Sequence, residues 1–210
     1  MPFAHTYPNS DGTTICVWNV SETVDDLEAT CRHRGIDAQT VMRTIKSPAR
    51  QTERLVELLL LCTLCGHPIE LSHTPGGAPY VIDGPAHLSI THTPGLVAIA
   101  THPQQPVGID VERRTTRVLT VRERFLTPDE LNYIHDNDIC GNLVAWTAKE
   151  ALFKVAGNPD AVMTDFTLDT YPTAPKGTVH FTAHYAKRTF NLATTIEQDT
   201  VLTIATEQIN

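Results

Sequence analysis

Asp110 and Glu112 stand two residues apart in Val107-Gly108-Ile109-Asp110-Val111-Glu112. The apolar and acidic residues alternating at the end of that stretch predict a strand with one wet face, from which both carboxylates project together. Glu150 follows in Trp146-Thr147-Ala148-Lys149-Glu150, a stretch with the pattern of a helix. Hard divalent cations take oxygen donors, and magnesium is often held by a few carboxylates, waters and a substrate phosphate. Lys154, four residues beyond Glu150, shares its helix face and can meet a phosphate as a point charge. Thr91 and His92, in Ser89-Ile90-Thr91-His92-Thr93, add two donors for phosphate oxygens. Each signal has a plainer reading. A D-x-E pair is also a solvated strand face. Glu150 with Lys154 is also a helix pair worth about 0.2–0.5 kcal/mol, and a lone histidine in a hairpin is usually a surface residue.

The elements that must position these side chains follow from local pattern. Residues 14–20 read as an opening strand, and Ser21 as the N-cap of a helix that begins near Val24. The strongest helix runs over 48–65, with Pro48 in its first turn and Gly66 as its stop. Residues 73–79 form a turn, and 87–91 and 96–101 two strands joined by Thr93-Pro94-Gly95. Thr127, Pro128 and Glu130 make a capping box that opens another helix. A further helix covers 141–156, and the Thr- and Val-rich last fifty residues read as strands. LVAIAT at 96–101 echoes VLTIAT at 201–206, a weak sign of two related halves. The fold class is α+β, with two subdomains, 1–105 and 106–210, the second carrying the acidic motifs.

Composition narrows the function classes. The chain has 210 residues, 41% hydrophobic content and a net charge of −8, so no global positive field draws it to nucleic acid or an anionic membrane. No run of about 18 apolar residues suits a membrane helix. The first fifteen residues lack the basic segment and apolar run of a secretory leader, so a cytoplasmic location is expected. Five cysteines at irregular spacing fit reduced thiols. Cys62 and Cys65 have CxxC spacing with His67 close by, but a zinc site wants a fourth ligand and the pair ends an apolar helical run, so both read as small hydrophobes.

The ordered set of motifs resembles the 4′-phosphopantetheinyl transferase superfamily, in its long single-chain, surfactin-synthetase-activating branch. The residues that carry the resemblance are Gly77-Ala78-Pro79-Tyr80, Ile90-Thr91-His92-Thr93, Gly108-Ile109-Asp110-Val111-Glu112, Phe125-Leu126-Thr127-Pro128-Asp129-Glu130, and Trp146-Thr147-Ala148-Lys149-Glu150-Ala151-Leu152-Phe153-Lys154. The resemblance implies two similar subdomains related by a pseudo-twofold, with coenzyme A as substrate in the cleft between them. It implies Asp110, Glu112 and Glu150 as ligands of Mg2+ (or Mn2+), Asp110, Glu150 and Lys154 as the catalytic set, and Glu150 as general base. Lys154, His92, Thr91, Arg50 and Lys149 become contacts to the coenzyme's phosphates, and Glu130 an acidic site position. The partner is an apo acyl or peptidyl carrier protein whose serine receives the arm, and the enzyme is expected to be a monomer. Arg113, Arg114, Arg117, Arg122 and Arg124 offer a basic surface to that acidic partner, or simply a solvated face.

Two positions depart from the family pattern. Ala78 stands where the turn carries a lysine, and Leu58 where the preceding helix carries an arginine, with Arg50 and Arg54 close enough in sequence to compensate. A lost charge-assisted phosphate bond costs roughly 1.5–3 kcal/mol. These departures favour a rival, a relative that binds carriers without transferring the arm. A metal-dependent nuclease is a second rival, but its last Glu and Lys sit two apart on a strand, and the chain lacks a basic footprint.

Overall fold

The computed structural model describes residues 4–8, 12–170 and 176–209. Parts of the leader reading (1–3 and 9–11) and of the C-terminal strand reading (171–175) lie outside the described residues. The fold is mixed α+β, and the chain divides into two compact units, Met1–Gln104 and Gln105–Asn210.

In the first unit, β1 (Ala4–Pro8) and β2 (Thr14–Asn19) precede α1 (Val24–His33), α2 (Ala38–Thr44) and α3 (Pro48–Cys65). A small hairpin, β3 (Leu71–His73) and β4 (Pro79–Val81), leads to β5 (His87–Thr93) and β6 (Leu96–His102). The antiparallel sheet runs β1-β2-β6-β5, so β6, buried along its whole length, is an interior strand. Cys16 and Trp18 of β2 and Val97 and Ile99 of β6 share a core with Leu55, Val56, Leu59 and Leu60 of α3.

The helix ends follow local chemistry. Pro48 opens α3 where no backbone donor is needed, and Gly66 closes it at φ 76°, the left-handed conformation glycine adopts without strain. The N-cap of α1 is Thr23, not Ser21. Its hydroxyl accepts from Asp26 N while the Asp26 carboxylate accepts from Thr23 N, a reciprocal box that the Thr-x-x-Asp spacing supplies and Ser21 cannot match. Cys62 packs in the α3 core, and all five cysteines are free thiols. Burial pushes the Cys31 thiol up to about 12, which keeps it protonated.

The second unit holds β7 (Val107–Arg113), α4 (Pro128–Tyr133), α5 (Ile139–Ala156), β8 (Thr167–Leu168), β9 (Gly177–Tyr185), β10 (Arg188–Ile196) and β11 (Thr200–Glu207). Its antiparallel sheet runs β7-β11-β10-β9-β8, with β11 interior. Helix α5 starts two residues earlier than expected, because Asp138 caps it by accepting from Gly141 N. The helix lies on β7 and β11, where Val201 and Ala205 meet Ala148, Ala151 and Leu152 in one core. Gly108 makes this approach feasible, since a Cβ there would stand 1.9 Å from the Ala151 carbonyl oxygen.

Candidate active site

The expected wet face of β7 is not wet. Val107 to Val111 are all buried, Asp110 among them, and accessibility begins only at Glu112. The reason is α5, which covers the face from which Gly108, Asp110 and Glu112 project.

Three residues of α5, four apart along the helix, address this strand. The Trp146 indole N–H donates to Glu112 Oε1 (3.3 Å). Lys154 Nζ donates to Asp110 Oδ1 (2.9 Å) and to the Ile109 carbonyl (2.8 Å). Glu150 sits between them. Its carboxyl is pushed up from the ordinary glutamate range, first by burial and then by the charges of Asp110 and Glu112, against the pull of Lys154. The sequence motif includes Trp146 without assigning it a contact. Its position four before Glu150 and eight before Lys154 was the available sign that it turns toward the same strand.

The donor set is all oxygen, and three carboxylates outweigh one ammonium, which suits a hard divalent cation. Among the described residues, no three His, Cys, Asp or Glu side chains already stand together as a metal-holding group. The chemistry of the donors fits magnesium; as placed, the positive charge against Asp110 is the Lys154 ammonium.

Lys149 does not belong with the phosphate contacts. Its side chain is 0% exposed and its Nζ donates to Glu130 Oε2 (2.6 Å) and the Phe166 carbonyl (2.8 Å). An ammonium enclosed with two acceptors is committed to the interior. Burial lowers its pKa, opposed by the Glu130 hydrogen bond and charge. Glu130 likewise is interior rather than part of the acidic cluster.

In the first unit, Thr91 and His92 do not act side by side. Successive strand residues point to opposite faces. His92 faces the start of α3, and Thr91 is buried on the other side of β5. His92 borders a cavity of about 480 Å³ lined also by Arg50, Glu53, Arg54, Glu57 and His73. Within it Arg50 pairs with Glu53 (2.8 Å) and approaches His92 Nε2 (2.9 Å), and Arg54 pairs with Glu57 (3.1 Å). Glu53 also lies 3.3 Å from His92 Nδ1, so the cations here carry glutamate partners that the sequence reading did not single out. Ala78 sits exposed in the β3–β4 turn, and Leu58 packs in the unit's core. Neither places a cation at the cavity.

The basic surface is thinner than the arginine count implied. Arg113 pairs with Asp199 (2.5 Å), and Arg122 turns inward to Asn142 Oδ1 (3.1 Å) and the Ile134 carbonyl (2.5 Å). Arg117 and Arg124 are exposed.

With the geometry in place, one comparison bears directly on it. Residues 106–205 match the family model of the 4′-phosphopantetheinyl transferase superfamily. The match spans β7, α4 and α5 and so contains Asp110, Glu112, Glu130, Lys149, Glu150 and Lys154. The matched stretch is 100 of the chain's 210 residues, a likeness of the second unit to that superfamily. It does not reach the first unit. No curated protein matches the chain. Among the described residues, no helix is long and apolar enough to cross a membrane.

Proposed function

We propose that the protein transfers the 4′-phosphopantetheine arm of coenzyme A to a serine of an apo acyl or peptidyl carrier protein, with Mg2+, releasing 3′,5′-ADP. The observation that carries this reading is the coincidence of the family match with the β7–α5 pair, where Trp146 meets Glu112 and Lys154 meets Asp110 on either side of Glu150 along the helix. The finer placement in the surfactin-synthetase-activating branch rests on the motif order. The relation between two similar halves has one support, that the echoing segments fall in β6 and β11, each an interior strand of its sheet.

The chemistry follows from the residues. Asp110, Glu112 and Glu150 would hold the metal, which supplies charge stabilisation at the diphosphate when bound. The carrier serine oxygen forms a bond to the β-phosphorus, and the bond from that phosphorus to the bridging oxygen breaks. The bridging oxygen leaves with 3′,5′-ADP. Negative charge grows on the phosphate oxygens, and Lys154, with two of its three donors already on Asp110 and Ile109, has one left for them. The serine proton needs an acceptor, and Glu150, the carboxylate that α5 carries to this strand, is proposed to take it. His92 and Arg50, at the first-unit cavity, are proposed as phosphate contacts; Thr91, on the other face of β5, is the weakest member of that set. A cytoplasmic monomer, with Mn2+ able to substitute for Mg2+, is part of the same reading.

The test is intact-mass spectrometry of apo acyl carrier protein incubated with the chain and coenzyme A, with Mg2+ or with EDTA. A metal-dependent gain of one phosphopantetheine is expected. No gain with several apo carriers, together with no coenzyme A binding by calorimetry, overturns the reading. That result would favour the relative that binds carriers without transfer, for which Leu58 and Ala78 speak.

A further inference from the structure

The Lys149–Glu130 pair lies beside the carboxylate cluster rather than in it, and it joins three segments. Glu130 Oε2 accepts from Lys149 Nζ (2.6 Å) and from Thr127 N (2.7 Å), and its Oε1 accepts from Leu168 N (3.0 Å). Lys149 adds a bond to the Phe166 carbonyl. One carboxylate and one ammonium therefore tie the start of α4 and the entry to β8 to the middle of α5. Both side chains are enclosed, at 0% and 1% exposure.

A buried ion pair is a poor way to gain stability, because apolar residues of similar volume often do as well or better. What it adds is fixed direction. Successive helix residues diverge by about 100° around the axis, so anchoring Lys149 on the interior side sets where Glu150 points. It sets Lys154 as well, four residues after Glu150 on the same face. Gly108 has already brought α5 close against β7, and Lys149 adds a fixed interior direction to that packing.

We propose that Glu130 and Lys149 are positioning residues that hold α5 at the rotation in which Glu150 and Lys154 face Asp110 and Glu112. The inference rests on the metal and phosphate roles given to that cluster above.

Three variants of the full chain test it: Glu130→Gln, Lys149→Met and the double substitution. Each is followed by melting temperature, by Mn2+ affinity in calorimetry, and by kcat and the KM for coenzyme A. The single variants should melt lower and bind Mn2+ about tenfold more weakly, the scale on which supporting partners of metal ligands act. In the double variant no charge is left alone, so melting should recover, while Mn2+ affinity and kcat stay low and KM moves less than kcat. Recovery of affinity and kcat along with melting would show the pair to be a packing element only and overturn the proposal. So would single variants that melt lower but bind Mn2+ normally. Wild-type protein that binds Mn2+ but transfers nothing sinks the transferase reading and leaves the positioning role to the variants' affinities. Wild-type protein that binds no Mn2+ overturns the positioning role too.

Discussion

Gly108→Ala puts one methyl group where α5 crosses β7. The new Cβ would lie 1.9 Å from the Ala151 carbonyl oxygen, 2.9 Å from its carbon and 3.1 Å from Val155 N. All three are backbone atoms of a helix, so no side chain can swing away, and ordinary contact requires strand and helix to part by about 1.5 Å. Alanine should otherwise stabilise a strand by roughly 0.5–1 kcal/mol relative to glycine. Overpacking of this kind costs about 1–3 kcal/mol, with backbone clashes at the upper end. The clash wins, and a net loss of about 2 kcal/mol is expected in urea unfolding. Asp110 is two residues from the clash, whereas Glu150 and Lys154 ride on the helix that must move. A displacement near 1 Å at a reacting centre can cost about a hundredfold in rate. Transfer by the folded variant, followed by carrier mass, should therefore fall about a hundredfold, beyond what lost stability explains. A variant with wild-type unfolding and wild-type kcat would refute the argument that this glycine sets the distance between strand and helix.

Three further expectations follow from the same geometry. Glu150→Gln should abolish Mg2+-dependent transfer while leaving the urea midpoint near wild type, and a variant that keeps more than a tenth of the activity removes Glu150 from the site. Lys154→Ala should weaken coenzyme A binding or turnover by an amount equivalent to roughly 1.5–3 kcal/mol, the worth of a charge-assisted bond; lower melting with normal kinetics would make it only a helix partner of Asp110. Glu57 offers a pH test, since burial raises its folded carboxyl pKa despite Arg54 nearby. Its neutral form is therefore favoured by folding, and that contribution is lost as pH rises from about 4.5 through the raised value. Glu57→Gln should stabilise the chain relative to wild type at neutral pH and little at pH 4, and unfolding curves that differ equally at both would contradict the assignment.

Much of the frame was legible because it depends on neighbours in sequence. Pro48 and Gly66 bounded α3, and Thr127 with Glu130 opened α4, since caps are local chemistry. The acidic strand and the Glu150 helix were likewise readable from period. What failed depended on what packs where. Asp110 had the look of a wet residue because alternation cannot reveal that α5 covers its face. Lys149 was set among the phosphate contacts by the resemblance, which says nothing of the 100° that separates it from Glu150 on the helix. Thr91 and His92 were grouped for the same kind of reason, although a strand sends them to opposite faces. The glutamates that pair with Arg50 and Arg54 are i,i+3 neighbours on α3, a spacing open to view in the sequence but not read there as pairing, and silent on the shared cavity.

Helix α5 explains why so short a motif can specify so much. Trp146, Glu150 and Lys154 recur every four residues, and two of them make direct contacts with the acidic strand, to Glu112 and Asp110. Lys149, off that stripe, is the only charged side chain among the fully enclosed residues of the helix. The small residues Ala148 and Ala151 lie at the core and let the helix approach the sheet, and Gly108 answers from the strand. Each feature alone has an ordinary structural purpose. Together they fix the helix's distance, by the small residues and Gly108, and its rotation, by Lys149 on Glu130. The role proposed for Glu150, sharing a cation with two other carboxylates, needs both quantities fixed, whereas a helix that merely covers a sheet needs neither.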